Sequence, residues 1–309
     1  MNDIDCLKEY CPITLEDQEL INHYLALTDY RLSRYNFLNL WMYQKWLPVH
    51  YYQKDDILLL STFYKHHYFS YMPLCKKEKL KEAFTLVESL YSECGLPFIY
   101  AGFENDIADM ILDRHPDFEK KAYPSSFDYI YDIKRFQNFS GKKLQKKRNH
   151  LNAFYNNYPD FVYQNINEGN LNEIKKFCEK WYSKHEGTFL EHDKEANFSV
   201  LDAFFKLNVK GGCLLINGEI KAFIITSLQN NDTMQVNIEK ADESYRGIYQ
   251  ALLKEFLRDN YLEAKFMNRE DDLGLENLRK AKRSYYPEII LENYRICQKD
   301  HHADYQGEI

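Results

Sequence analysis

The sequence predicts an α+β protein of two tandem lobes, each a mixed sheet flanked by helices. Three observations lead there. Strand-like and helix-like patterns alternate over the first half of the chain, and the same kind of alternation starts afresh after Pro159. Asn217-Gly218, between two apolar runs, is the strongest short signal for an antiparallel hairpin. The length, 309 residues, suits two ordinary domains or one large one. No sequence repeat links the halves, so the second copy is inferred from element order. The expected division is a lobe over 1–138, a lobe over 139–297 and a flexible tail over 298–309.

In the first lobe, TLEDQELINHYLAL opens a helix with Thr14 as cap and Asp17 in the capping-box position. DILLLSTF and HYFSYMPL read as strands, and KEKLKEAFTLVESLYSECG as a helix closed by Gly95. LPFIYAGF is a strand, NDIADMILDRHP a helix stopped before Pro116, and SFDYIYDI a strand that ends the lobe. In the second lobe, FVYQNI is a strand. NLNEIKKFCEKWYSKH is a helix with Asn170 and Glu173 as its capping box and Leu171, Ile174, Phe177, Cys178 and Trp181 on one face. The hairpin GGCLLINGEIKAFIITSL follows, then the strand TMQVNIEKA. DESYRGIYQALLKEFLRDN is a helix with Tyr249, Leu252, Leu253, Phe256 and Leu257 as core stripe, LEAKFMN a strand, and LGLENLRKAKRSYY the last helix. After Arg295 the chain reads as frayed.

The net charge is −7, so affinity for nucleic acid or anionic lipid is not a property of the whole surface. No apolar run approaches the roughly 20 residues of a membrane span, and MNDIDCLKEY lacks a signal peptide's basic start, which points to the cytoplasm. Seven cysteines include no CxxC, and the pairs His66-His67 and His301-His302 have no partner at metal spacing, so reduced thiols and no metal are expected. The 26 tyrosines follow no nucleic-acid motif.

One stretch departs from this acidic background. SGKKLQKKRNHLNAFYNNYP packs Lys142, Lys143, Lys146, Lys147 and Arg148 into about two turns. Ser140 is a suitable N-cap, and Leu144, Leu151, Tyr155 and Tyr158 form an apolar stripe, so a helix is expected. Cations at a helix N-terminus oppose the macrodipole, and this sign of charge points to an anion site.

The order of elements in the second half, strand, helices, hairpin, strand, helix, strand, helix, resembles the GNAT acyltransferase fold, with the first half as a looser copy. The basic stretch, NIEKADESYRGIYQALLKEF and NREDDLGLENLRKAKRSYYPE together resemble the bacterial family of the phosphatidylglycerol lysyltransferase C-terminal domain, over about residues 15 to 296. Leu278, Arg279, Lys282, Tyr285 and Pro287 match the lysyltransferase pattern near its C-terminus. Where those enzymes tend to carry paired arginines, this chain has Lys240-Ala241. The resemblance also implies kinship with Fem-type peptidyltransferases, whose basic helix ends in Arg-Asn as Arg148-Asn149 does here.

What the resemblance implies is an aminoacyltransferase. Its donor would be aminoacyl-tRNA and its acceptor a lipid, a peptide or a small molecule, with no tightly bound cofactor. Such transfer needs a base, a cation or N–H near the developing oxyanion, and tight positioning. Glu239 is the candidate base, with Asp271 and Asp272 as rivals that also suit a helix cap. Lys282 would stabilise charge, Arg279 would clamp phosphate through its planar fork, and Tyr285 would orient the acceptor. Lys142, Lys143, Lys146, Lys147, Arg148 and Asn149 would bind donor phosphates. Lys240, and Asn268 and Arg269 at a strand end, would touch ligand. Arg246 and Gly247 lie in Ser244–Tyr249, where GNAT enzymes cradle acyl-CoA pyrophosphate. Only Gly247 fits that pattern, and Tyr249 is bulky where a small residue is needed. Two other readings stand beside this one: an acyl-CoA-dependent N-acyltransferase, and a non-catalytic binding module for an anionic ligand or RNA.

Overall fold

A computed structural model describes residues 7–185, 187 and 189–299. Cys6, the pair His301-His302 and the expected tail from 300 onward lie outside the described residues. The chain forms two compact units. One holds the described residues up to Asp128, with Asp271–Leu275 and those from Ile290 on; the other holds Tyr129–Glu270 and Glu276–Ile289.

In the first unit the elements run β1 (Cys11–Pro12), α1 (Gln18–Leu25), α2 (Phe37–Met42), β2 (Val49–Lys54), β3 (Ile57–Tyr64), β4 (His67–Ser70), α3 (Leu80–Glu93), β5 (Tyr100–Phe103), α4 (Asn105–Arg114) and β6 (Phe118–Ala122). Thr14 and Asp17 form the expected capping box, one turn ahead of α1. Ile57 to Thr62 are all buried, as a central strand covered on both faces requires. Leu80, Ala83, Phe84, Val87 and Tyr91 form the buried stripe of α3, and Gly95 ends that helix at φ +65°.

The second unit runs β7 (Asp128–Asp132), α5 (Lys134–Asn138), α6 (Gln145–Asn157), β8 (Val162–Asn165), α7 (Leu171–Tyr182), α8 (Leu190–Ala203), β9 (Val209–Ile216), β10 (Glu219–Asn230), β11 (Thr233–Ala241), α9 (Ile248–Asp259), β12 (Phe266–Asn268), α10 (Glu276–Arg283) and β13 (Ile289–Leu291). The last strand, β14 (Tyr294–Gln298), returns to the first unit, where the sheet order is β1-β2-β3-β4-β5-β14-β6; in the second it is β13-β7-β12-β11-β10-β9-β8. Both sheets are mixed and flanked by helices, the tandem GNAT-like arrangement that the element order predicts. Asn217 (φ +52°) and Gly218 (φ +78°) make the expected β9–β10 turn.

Four expectations need correction. The boundary falls at Asp128/Tyr129 and not at 138/139, because β7 pairs with β12 and buries Tyr129, Ile130 and Tyr131 in the second unit. Ile296 to Gln298 are not frayed: they belong to β14, which lies between β5 and β6 with Ile296 and Cys297 buried, although two apolar residues are too few to give a periodic signal. The basic helix starts at Gln145; Phe139 (φ +46°) and Gly141 (φ +85°) break the chain near Ser140, leaving Lys142 and Lys143 in a turn. Asn170 does not cap α7. Its side chain turns back to accept from Asn167 N at 2.9 Å and donate to Asn165 O at 2.9 Å, while Glu173 pairs with Lys176.

Among the described residues no helix is long and apolar enough to cross a membrane, and no group of three or more His, Cys, Asp or Glu side chains could hold a metal.

Candidate active site in the second lobe

The site follows from where two parallel strands stop pairing. β11 pairs with β12 only through Thr233–Phe266, Met234–Met267 and Gln235–Asn268. Beyond Asn268 strand β12 ends, while β11 continues to Ala241 beside β10. An opening at the carboxyl ends of parallel strands is where open α/β sheets bind ligands. Opposite Ile225/Thr226 the register slips, so that Thr226 faces Val236, Ile225 faces Ile238, and Asn237 is the extra residue of a bulge. Glu239 then lies opposite Ile224, in the core shared with α6 and α9, and Lys240 lies opposite Phe223, which meets Phe177 of α7 edge-on. Neighbouring residues of one strand thus serve opposite faces.

On the α6/α9 face, Glu239 Oε2 accepts from Arg269 Nη2, the first residue beyond β12. Only 14% of the Arg269 side chain and 10% of the Glu239 side chain are exposed, so each charge depends on the other. Glu239 Oε1 is buried with no hydrogen-bond partner among the described residues. The Arg269 guanidinium lies 5.1 Å from the Tyr285 ring centroid, and the Lys147 ammonium sits 3.8 Å from the same centroid. Gln250 Nε2 of α9 donates to the Tyr285 hydroxyl, and Phe136 stacks on the Tyr285 ring at 5.5 Å.

These surroundings fix the charge states. Burial, then the neighbouring Arg269 and Lys146 charges, lower the Lys147 amine to about 8, so it can hold or release a proton near neutral pH. Burial pushes the Tyr285 hydroxyl up, which keeps it neutral. Burial acts against the charge on Arg269, but Glu239 outweighs it and holds the guanidinium protonated.

Other candidates have structural employment. Lys282 Nζ donates to Arg269 O, and to Glu270 O at 3.1 Å, while Tyr131 donates to Lys282 O at 2.9 Å. Glu270 has φ +58°, and its N–H is held by Asn268 Oδ1 at 2.7 Å. Lys282 and Asn268 therefore brace the turn that carries Arg269. Arg279 is half-buried on α10, a helix with no buried residue. Asp271 Oδ1 accepts from Leu273 N at 3.1 Å and Asp272 Oδ1 from Gly274 N at 3.0 Å, so both shape the turn before α10.

The basic stretch divides. Arg148 Nη1 donates to Phe139 O at 2.6 Å and Gly141 O at 3.2 Å, tying down the turn before its own helix. Lys142, Lys143, Lys146 and Asn149 are exposed, and Lys143 sits 5.5 Å from the centroid of Tyr286. The basic helix and the residues following α10 thus meet at Tyr285-Tyr286, which the sequence could not establish. Arg246 is exposed. Gly247 has φ +89°, and a Cβ there would lie 2.0 Å from His150 O, so the start of α9 is pressed against the backbone of α6. Lys240 faces away from Glu239. Sequence reasoning missed Gln250, whose signal was a polar residue, 9% exposed, inside the apolar stripe of α9.

Two mixed sheets in tandem, the second with a buried charged pair just beyond the last pairing of its parallel strands, define a tandem GNAT-like protein. The chain belongs to the family described as phosphatidylglycerol lysyltransferase, C-terminal, whose profile matches residues 25–297. An uncharacterized protein of Mycoplasmoides gallisepticum is 34% identical over 176 residues, a match covering 56% of this chain and 57% of that protein's length. A conserved protein of unknown function from Bacteroides thetaiotaomicron superimposes with a TM-score of 0.88 at 31% identity, over 94% of this chain and 99% of that one. L-PGS from Bacillus licheniformis shares the fold, with a TM-score of 0.65 at 14% identity over 92% of each chain.

Proposed function

We propose that the protein is an aminoacyltransferase that takes an aminoacyl group from aminoacyl-tRNA and passes it to the amine or hydroxyl of a lipid, peptide or small-molecule acceptor. The family supports the reaction class. The observation that carries the reading is the meeting of the exposed Lys143 at Tyr286 and the half-buried Lys147 at Tyr285, with the buried pair of Arg269 and Glu239 behind them. Phosphates of the donor would lie along Lys142, Lys143 and Lys146, and the ester would enter at Tyr285. The acceptor atom bonds to the ester carbonyl carbon as the bond to the ribose oxygen breaks. Glu239 Oε1 takes the acceptor's proton, and the Lys147 ammonium gives one to the departing ribose oxygen. Arg269 and Lys147 offset the charge that develops on the carbonyl oxygen. Lys282 holds the Arg269 turn and does not itself meet substrate. Gly247 is packed against His150 O, and the bulky Tyr249 stands two residues on where GNAT enzymes carry a small residue, which favours tRNA over acyl-CoA as donor.

The test is binding of charged tRNA across a salt series. Lys142→Ala, Lys143→Ala and Lys146→Ala together should flatten the slope of log affinity against log salt by about 2 to 3, roughly one for each phosphate that is no longer neutralised. An unchanged slope contradicts the assignment of these lysines to the donor.

A further inference from the structure

Behind Glu239, on the opposite face of β11, lies a second buried charge cluster for which the proposed reaction has no use. Lys240 Nζ pairs with Asp193 Oδ2 of α8 at 2.7 Å, with side-chain exposures of 13% and 15%. The same ammonium stands 4.4 Å from the Trp181 ring centroid and 5.1 Å from that of Tyr182, both on α7. The Tyr182 hydroxyl donates to Asp193 Oδ2 at 2.6 Å and itself accepts from Asn197 Nδ2. Trp181 Nε1 donates to Ala241 O at 3.1 Å, and His185 stacks on Trp181 at 3.8 Å. These interactions grip Lys240 and Ala241, the two residues after Glu239. They do so where β11 has run past its last partner on β12 and, among the described strands, pairs with β10 alone. A strand with one free edge would let Glu239 move relative to Arg269, and the cluster holds that segment from the α7/α8 side.

We infer that Lys240, Asp193 and Trp181 form a latch that positions Glu239 against Arg269 from the reverse face of the sheet. Lys240 is then a positioning residue that touches no substrate. The buried ammonium is satisfied by Asp193 and two aromatic faces, and buried charges contribute most to a unique geometry when every member is engaged. The inference rests on Glu239 being part of the site proposed above, but its consequence can be read without any substrate.

The experiment is ¹⁵N NMR of the arginine side chains in the full chain. An ion-paired, buried guanidinium exchanges slowly, so Arg269 should give a protected signal, identified by its loss in Glu239→Gln. Lys240→Met and Asp193→Asn should lose or broaden that signal while amide spectra report an intact fold. Lys240→Arg, which can still reach Asp193, should keep it. A protected Arg269 signal in both Lys240→Met and Asp193→Asn would overturn the latch, and so would a wild-type protein with no signal sensitive to Glu239→Gln, since there would be no fixed pair to position. Failure of tRNA binding with the signal behaving as described would instead sink the transferase reading alone.

Discussion

Replacing Lys147 by Met should stabilise the protein at neutral pH while removing the general acid proposed above. Folding lowers the amine from its ordinary 10.5 to about 8, the largest cause being burial. At about 1.4 kcal/mol per unit this would cost about 3 kcal/mol below pH 8. The side chain remains partly in solvent, and discounting for screening leaves about half. The 3.8 Å contact with the Tyr285 ring favours the charged form by about 0.5 to 1 kcal/mol, so the net penalty is about 1 kcal/mol. The unfolded chain binds the proton more tightly than the folded one, so wild-type stability rises as pH climbs from about 8 toward 10.5. Urea unfolding at pH 6.5 should show Lys147→Met more stable than wild type by about 1 kcal/mol, an advantage that fades by pH 10.5 as the wild-type penalty disappears. A variant equally or less stable at pH 6.5, or a difference independent of pH, would refute the reasoning.

Further outcomes follow from other interactions. If the Lys147 ammonium is the general acid, transfer should decline as pH rises through about 8, and Lys147→Arg should remove that limb from the rate profile. Gly247→Ala places a methyl group 2.0 Å from His150 O at φ +89°, and chemical denaturation should show a loss of about 3 kcal/mol. Lys282→Ala removes the ammonium that bridges the carbonyls of Arg269 and Glu270, and kcat should fall more than KM rises because the Arg269 turn loosens. Burial opposes ionisation of Glu88, but hydrogen bonds from Arg114 and His115 outweigh it and lower its carboxyl. Its contribution should be present at neutral pH and lost as pH falls below 4.5, and Glu88→Gln should abolish that loss in an acid titration of stability.

Much of the fold was legible because long periodic segments and turn chemistry carry their own signal. The Asn217-Gly218 hairpin, the α9 stripe and the Gly95 stop are set by local rules. What could not be read depends on partners distant in sequence. Nothing local tells that SFDYIYDI pairs with β12, or that Tyr294–Gln298 slides between β5 and β6. At the site, Glu239 and Arg269 were candidates because strand ends carry function, and Lys147 because it lies in a basic run. Their convergence on Tyr285 follows from the parting of β11 from β12 and the crossing of α6 over α9, neither visible in one sequence. The same geometry gives Lys282 and Arg148 structural posts, since a cation that braces a turn and a cation that meets a ligand look alike along the chain. Lys240 was read as touching ligand because it stands beside Glu239, yet adjacent residues of a strand face opposite sides, and Lys240 lies on the α7/α8 face.

The most direct measurement is single-turnover transfer from labelled aminoacyl-tRNA in the presence of lipid, peptide and small-amine acceptor pools, comparing wild type with Glu239→Gln and Arg269→Lys. Wild type should move label from tRNA into one acceptor pool, and both variants, though folded, should lower the rate by at least about a hundredfold, as removal of a positioned acid–base or charge-stabilising group does. Label transferred at the wild-type rate by both variants, or left on tRNA by wild type with every pool, would contradict the assignment of Glu239 and Arg269 to aminoacyl transfer.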